Sequence, residues 1–385
     1  MTYSPPASAI PYTLSVSDQD LSDCHTLLRL SNLGPPTWEN TQTEHNYGIT
    51  RQWLSDARDH WLTKFDWRAQ EAHINSFANY KMSIDGSDVH FIGHFSAKQD
   101  AVPIILMHGW PGSFIEFLPM LDLVRKQYPS QQDLPYHLVV PSLPGYTLSA
   151  AGSLGASPSM WQSAKVCHQL MLNLGFKKYI AQGGDVGSFL AKVMATTYEE
   201  CVAIHLNLFT VAEQLDLEKL DAGEKKGLEQ ALEFRKRGSA YQQIHATKPA
   251  TIGHVVQSTP LAVLAWIGEK FLAWSDTPPS LDHILLNVAL YWFTNGFPTS
   301  IYPYRELFGD DGSTRSATLF NKIEKPTGVS YFAQELFPMP EYAVAKHCKL
   351  VHYKKHAKGG HFAALEEPEA FWGDVEEFVR VVWAV

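Results

Sequence analysis

The 385 residues carry 31 lysines and arginines against 40 aspartates and glutamates, a net charge of −9, with 45% hydrophobic and 18% charged residues. That apolar fraction excludes a disordered or fibrous chain, and the negative balance is the wrong sign for neutralising phosphates, so no nucleic-acid partner is expected. No run reaches the roughly 18 apolar residues that a bilayer helix needs.

The first residues hold three prolines and no basic segment ahead of an apolar one, so they read as neither signal peptide nor anchor. Cys24, Cys167, Cys201 and Cys348 lie far apart without a metal-binding spacing. Free thiols in a reducing cytoplasm are the simplest expectation. Up to about residue 72 the chain reads as a helical leader without sheet, Ser17 or Asp18 capping a helix that runs to Leu30.

A β-hairpin is predicted over 77–95, with Asp85-Gly86 at the turn. After it, apolar runs at 102–107, 137–140, 179–181, 202–206 and 350–353 alternate with helical stretches. Such alternation predicts an α/β fold, a mostly parallel sheet flanked by helices. The rhythm breaks at 211–315, a helical insertion of the kind that walls a ligand crevice above the sheet. The expected division is 1–95 as an N-terminal extension, 96–210 and 316–385 as core, and 211–315 as lid.

Directly after the run at 179–181 stands Gly183-Gly184-Asp185-Val186-Gly187-Ser188. It fits the sharp strand-to-helix elbow G-x-nucleophile-x-G, with aspartate where serine hydrolases have serine. A serine alkylated by an epoxide or halide would become an ether that activated water cannot cleave, whereas alkylated aspartate is an ester with an attackable acyl carbon. Asp185 is thus the expected nucleophile for alkyl transfer, a carboxylate that needs no base to activate it. The plainer alternative is that it only caps the helix.

His108-Gly109-Trp110-Pro111-Gly112-Ser113 follows the run at 102–107, where such folds place an oxyanion loop. The backbone N–H groups of Trp110 and Val186 are the expected donors. Gly359-Gly360-His361-Phe362 supplies a general base, in the chain order nucleophile, acid, histidine. For its partner acid Glu335, 26 residues earlier, competes with Glu324, Glu341, Asp310 and Asp311. A ring oxygen leaving carbon needs a proton donor, and the helical block offers Tyr241, Tyr291, Tyr302 and Tyr304. His352 and His356 are read as a solvated face, and no metal or organic cofactor is implied.

The motifs HGWPGS at 108–113, PSLPGY at 141–146, GGDVGS at 183–188 and GGHFAALEEPE at 359–369, with Phe65-Asp66-Trp67-Arg68 ahead of them, resemble the microsomal-type epoxide hydrolases and most of all their soluble fungal members. The resemblance runs from about Tyr12 onward. It implies an α/β-hydrolase fold and addition of water to an epoxide, giving a vicinal diol. It selects Tyr241 and Tyr304 as the lid tyrosines and Glu335 as the acid, and implies that the N-terminal extension wraps the core. Gly145-Tyr146 departs from the Gly-Phe of many relatives. The expected partner is a small-molecule epoxide, with no membrane anchor; a homodimer is neither supported nor opposed by composition. A haloalkane dehalogenase and a non-catalytic ligand-binding α/β-hydrolase are the alternatives.

Overall fold

The computed structural model describes residues 2–44, 47–211, 214–309 and 321–383. Asp310, Asp311 and the expected 315/316 boundary lie outside them. The core is a sheet of nine strands in the order β1-β2-β3-β5-β4-β6-β7-β8-β9. In chain order these are β1 (Ile10–Pro11), β2 (Asn79–Ile84), β3 (Ser87–His94), β4 (Val102–Met107), β5 (Tyr136–Pro141), β6 (Tyr179–Gly183), β7 (Cys201–Leu206), β8 (Ile323–Gln334) and β9 (Cys348–Gly360). The first three pair antiparallel, β3 joins β5 antiparallel, and from β5 to β9 all pairings are parallel.

Strands β4 and β5 are buried along their whole length, as expected for a sheet covered on both faces. Flanking helices include Met160–Asn173, capped by Ser159, and Pro368–Val382. Two strands escape sequence patterning. The leader does contribute to the sheet, since Ile10 and Pro11 pair with Lys81 and Tyr80. Strand β8 carries Glu324, Lys325, Pro326 and Gly328, which read as loop; Pro326 is accommodated where the β8–β9 register shifts.

Ser17 caps the first helix, Asp18–Leu30. Asp66 caps the helix Trp67–Asn75, whose buried Glu71 accepts from Val16 N, Trp67 Nε1 and Arg68 Nη1. That carboxylate ties the leader to the helix. The leader also reaches the insertion, with His60 Nε2 2.6 Å from Asp282 and Trp67 edge-on to Phe293.

Helices make up the described part of the insertion, from Ala222–Glu233 to Pro303–Phe308. No single helix among the described residues is long and apolar enough to cross a membrane. The apolar helix Pro260–Trp274 bends 113° from Pro249–Val256, and its Leu264, Ile267 and Phe271 join the core.

His352 and His356 are half-buried and paired, not freely solvated. His356 Nε2 lies 2.6 Å from Asp374 Oδ2 and His352 Nε2 lies 3.4 Å from Glu377 Oε2, so both pair with carboxylates of the last helix. Ser330 Oγ donates to the same fully buried Asp374 and lies 3.1 Å from His205 Nε2. Although this is a serine, histidine and aspartate grouping, Ser330 is buried and bonded to the carboxylate itself, so it knits β7, β8 and β9 to the helix.

Candidate active site

Strand β6 ends at Gly183 and the helix Asp185–Thr197 begins two residues later, leaving Asp185 at φ 45°, a conformation that side chains rarely adopt. The turn can be this sharp because its neighbours lack a Cβ. At Gly183 a Cβ would overlap Gly187 O, and at Gly187 it would overlap Met107 O. The elbow lifts the Asp185 carboxylate to the C-terminal end of the sheet.

The HGWPGS loop meets it there. The Trp110 N–H donates to Asp185 Oδ1 at 2.8 Å. Val186 N–H lies in the first turn of the helix, where no intrahelical acceptor exists. The loop is held from the insertion: Asn287 Nδ2 donates to Pro111 O at 2.8 Å, Ser113 Oγ to Asn287 Oδ1 at 2.7 Å, and Tyr291 Oη to Gly112 O at 2.8 Å. From the core side, Leu143 N donates to His108 Nε2 at 3.1 Å, joining the loop to the PSLPGY segment.

On the other side of Asp185 stands His361, 5% exposed, its Nε2 3.5 Å from Asp185 Oδ2 and its Nδ1 2.7 Å from Glu335 Oε1. The sheet brings acid and histidine together, because β8 and β9 pair Gln334 with Gly360 at their ends, and Glu335 and His361 are the residues that follow. Burial by itself disfavours the imidazolium, yet the Glu335 charge and the bond to Asp185 outweigh it and hold the His361 pKa well above its ordinary value. Glu366 secures the loop, accepting from Phe362 N, Gly360 N and Asp276 N at 3.0, 3.1 and 2.7 Å. Burial raises its pKa to about 7. Nothing in the sequence reading pointed to Glu366, although it stands in the same motif as His361.

Of the four tyrosines, Tyr241 and Tyr304 come together, Tyr304 Oη donating to Tyr241 Oη across 3.5 Å. The indole of Trp110 packs against both, its ring centroid 5.3 Å from Tyr241 and 5.7 Å from Tyr304. Burial chiefly raises both phenol pKa values, helped by the Asp185 charge at Tyr241 and by Tyr241 and then Asp185 at Tyr304, so both stay protonated at neutral pH. Tyr302 instead bonds Ser163 Oγ at 2.6 Å, and Tyr291 is committed to Gly112 O.

Among the described residues no group of three or more His, Cys, Asp or Glu side chains is placed to hold a metal. What the arrangement offers is a carboxylate with one oxygen in an amide donor, a histidine backed by an acid, and two neutral O–H donors.

A family model described as the epoxide hydrolase N terminus matches residues 9–117, and one for the α/β hydrolase fold matches residues 102–224. Epoxide hydrolase 1 of Sus scrofa is 32% identical over 408 residues, covering 97% of this chain and 88% of its own. Juvenile hormone epoxide hydrolase 2 of Ctenocephalides felis is 30% identical, covering 96% and 85%. The structure of Aspergillus niger epoxide hydrolase superposes with a TM-score of 0.93 at 45% identity, covering 99% of each chain.

Proposed function

The chain belongs to the epoxide hydrolases, and from that premise we propose that it adds water to an epoxide through a covalent ester on Asp185. The observation that carries this reading is the carboxylate at the elbow, bonded to Trp110 N–H on one oxygen and within 3.5 Å of His361 on the other.

With Oδ1 engaged by the amide, Oδ2, which faces His361, is the oxygen that attacks a ring carbon. Tyr241 and Tyr304 hold the epoxide oxygen and supply its proton as the carbon–oxygen bond breaks. Esterification removes the Asp185 charge, and with it the part of the His361 pKa elevation that Asp185 provides. Neutral imidazole becomes more favoured, and His361, oriented by Glu335, takes a proton from water. That water attacks the Asp185 carbonyl carbon, and the developing oxyanion is stabilised by the amides of Trp110 and Val186. Collapse releases the diol, whose departing oxygen recovers the proton from His361, while the second proton of the water leaves the regenerated Asp185 carboxyl and restores the phenol that protonated the ring oxygen.

The same proposal treats 211–315 as the lid that supplies the tyrosines, on the core of 96–210 and 316–385, with 1–95 bracing both. A reducing cytoplasmic setting fits the four buried cysteines, all of them free thiols. The test is a panel of aryl, alkyl and terpenoid epoxides assayed for diol. Diol formation supports the reading; chloride release from haloalkanes with no diol from any epoxide would reject it in favour of dehalogenation.

A further inference from the structure

One carboxylate near the reacting groups has no task in the mechanism above. Glu116 lies in the one-turn 3-10 helix Phe114–Phe117 that follows the HGWPGS loop. Phe114, Ile115, Phe117 and Leu118 around it are buried in the core, whereas Glu116 is partly exposed. A Cβ on Gly112 would overlap its Oε2, which fixes the carboxylate beneath the loop. Its backbone N–H donates to Ser113 O at 3.1 Å, while its carboxylate has no hydrogen-bond or ion-pair partner among the described residues. A carboxylate that is largely withdrawn from solvent and has no protein partner is best satisfied by water.

The space beside it supplies one. A cavity of about 10 Å³, counted as the room open to a water-sized sphere, is lined by Glu116, Asp185, His361 and Asn207, together with Trp110 and Phe362. A single water needs roughly that volume and two to four polar partners. Asn207 Oδ1 accepts from Gln182 Nε2 at 2.9 Å, and the whole amide lies over the elbow, Nδ2 2.6 Å and Oδ1 2.8 Å from where a Cβ on Gly184 would stand. The cavity is therefore bordered by one amide donor, one carboxyl, the imidazole and the carboxylate of Asp185.

We propose that this cavity seats the hydrolytic water, and that Glu116 and Asn207 are the positioning residues that hold it against the Asp185 ester. The inference rests on the covalent reading above. In the step, the water oxygen bonds to Asp185 Cγ, its proton passes to His361 Nε2, and the carbonyl electron pair moves onto Oδ1. The Cγ–Oδ2 bond then breaks, so the diol departs with Oδ2 and takes the proton back from His361. Burial chiefly, and Asp185 to a lesser degree, pushes the Glu116 pKa up to about 8, against the pull of His361. At neutral pH Glu116 is then an uncharged carboxyl, which hydrogen-bonds water without setting a second anion beside the developing oxyanion.

The test separates the two half-reactions by rapid quench and intact mass, using styrene oxide as probe. In Glu116→Leu, alkylation should proceed at about the wild-type rate while ester hydrolysis falls on the order of 10²-fold, as for a reactant displaced by about 1 Å, so ester accumulates. Glu116→Gln, uncharged and still able to hydrogen-bond, should restore hydrolysis to within a few-fold. A merely structural role would slow both steps, and the amide would not rescue one selectively. Unchanged hydrolysis in Glu116→Leu, or equal slowing of both steps, overturns the water site. His361→Gln keeps the failures apart: if it accumulates ester while Glu116→Leu hydrolyses normally, the water site alone is wrong. If it never forms ester, the covalent reading falls and the water site with it.

Discussion

Replacing Tyr304 with phenylalanine deletes one oxygen from a pair of phenols whose hydroxyls lie 3.5 Å apart. Both rings are buried, with Trp110 against each, so the smaller side chain leaves the packing intact and removes little besides the hydrogen bond. A donor lost to a developing oxyanion costs about 2 to 4 kcal/mol, which corresponds to roughly 30- to 900-fold in rate. Tyr304→Phe and Tyr241→Phe should each slow alkylation of Asp185 by that factor, and the double variant should be slower than either. Hydrolysis of ester already formed should change little, because neither phenol touches the acyl carbon in the proposed step. Stopped-flow fluorescence is a suitable assay, since the Trp110 indole stacks on Tyr241 at 20° between planes and reports on ligand there. Tyr302→Phe is the control, as its hydroxyl is spent on Ser163. Tyr291→Phe is not a clean control, because it frees Gly112 O in the oxyanion loop. If Tyr302→Phe slows alkylation by 30-fold or more while Tyr304→Phe leaves it unchanged, the assignment of the proton donors is wrong.

Other consequences follow from the same contacts. His361→Gln should still alkylate but retain its ester, seen as a mass increase equal to the substrate; unmodified protein after long incubation would count against its role. Asn287→Ala removes the clamp on Pro111 and Ser113, and should slow both half-reactions together; selective loss of one would show that the loop does not depend on it. Asp374→Ala leaves His356 and Ser330 without their shared acceptor and should destabilise the fold by about 3 kcal/mol in urea unfolding at pH 7. The His356 and Ser330 bonds outweigh burial and lower the Asp374 pKa. The wild-type advantage should therefore be full above the unfolded value of about 4 and fade as pH falls through the lower folded one. An advantage that stays constant down to pH 2 would contradict that assignment.

The parallel strands and the elbow were readable because each is a short-range pattern: a buried apolar run, or glycines forced by backbone overlap beside Asp185. Strand β8 was not readable, since its charges and Pro326 are tolerated only through a register shift against a neighbour distant in sequence. The same pairing sets Glu335 next to His361, a fact that spacing could rank but not derive. His352 and His356 were misread because their carboxylate partners belong to another element. Glu116 did leave a signal, a lone charge inside the apolar run Phe114-Ile115-Glu116-Phe117-Leu118, but only the cavity beside Asp185 gives it a chemical meaning.

The central claim is that the oxygen delivered to the diol comes from Asp185 and is replaced by water. A single turnover with enzyme in excess, run in heavy-oxygen water and followed by peptide mass spectrometry, tests it directly. The account predicts unlabelled diol, label in the peptide containing Asp185, and labelled diol only when a second turnover is run. Label in the diol from the first turnover, with an unlabelled Asp185 peptide, would contradict it.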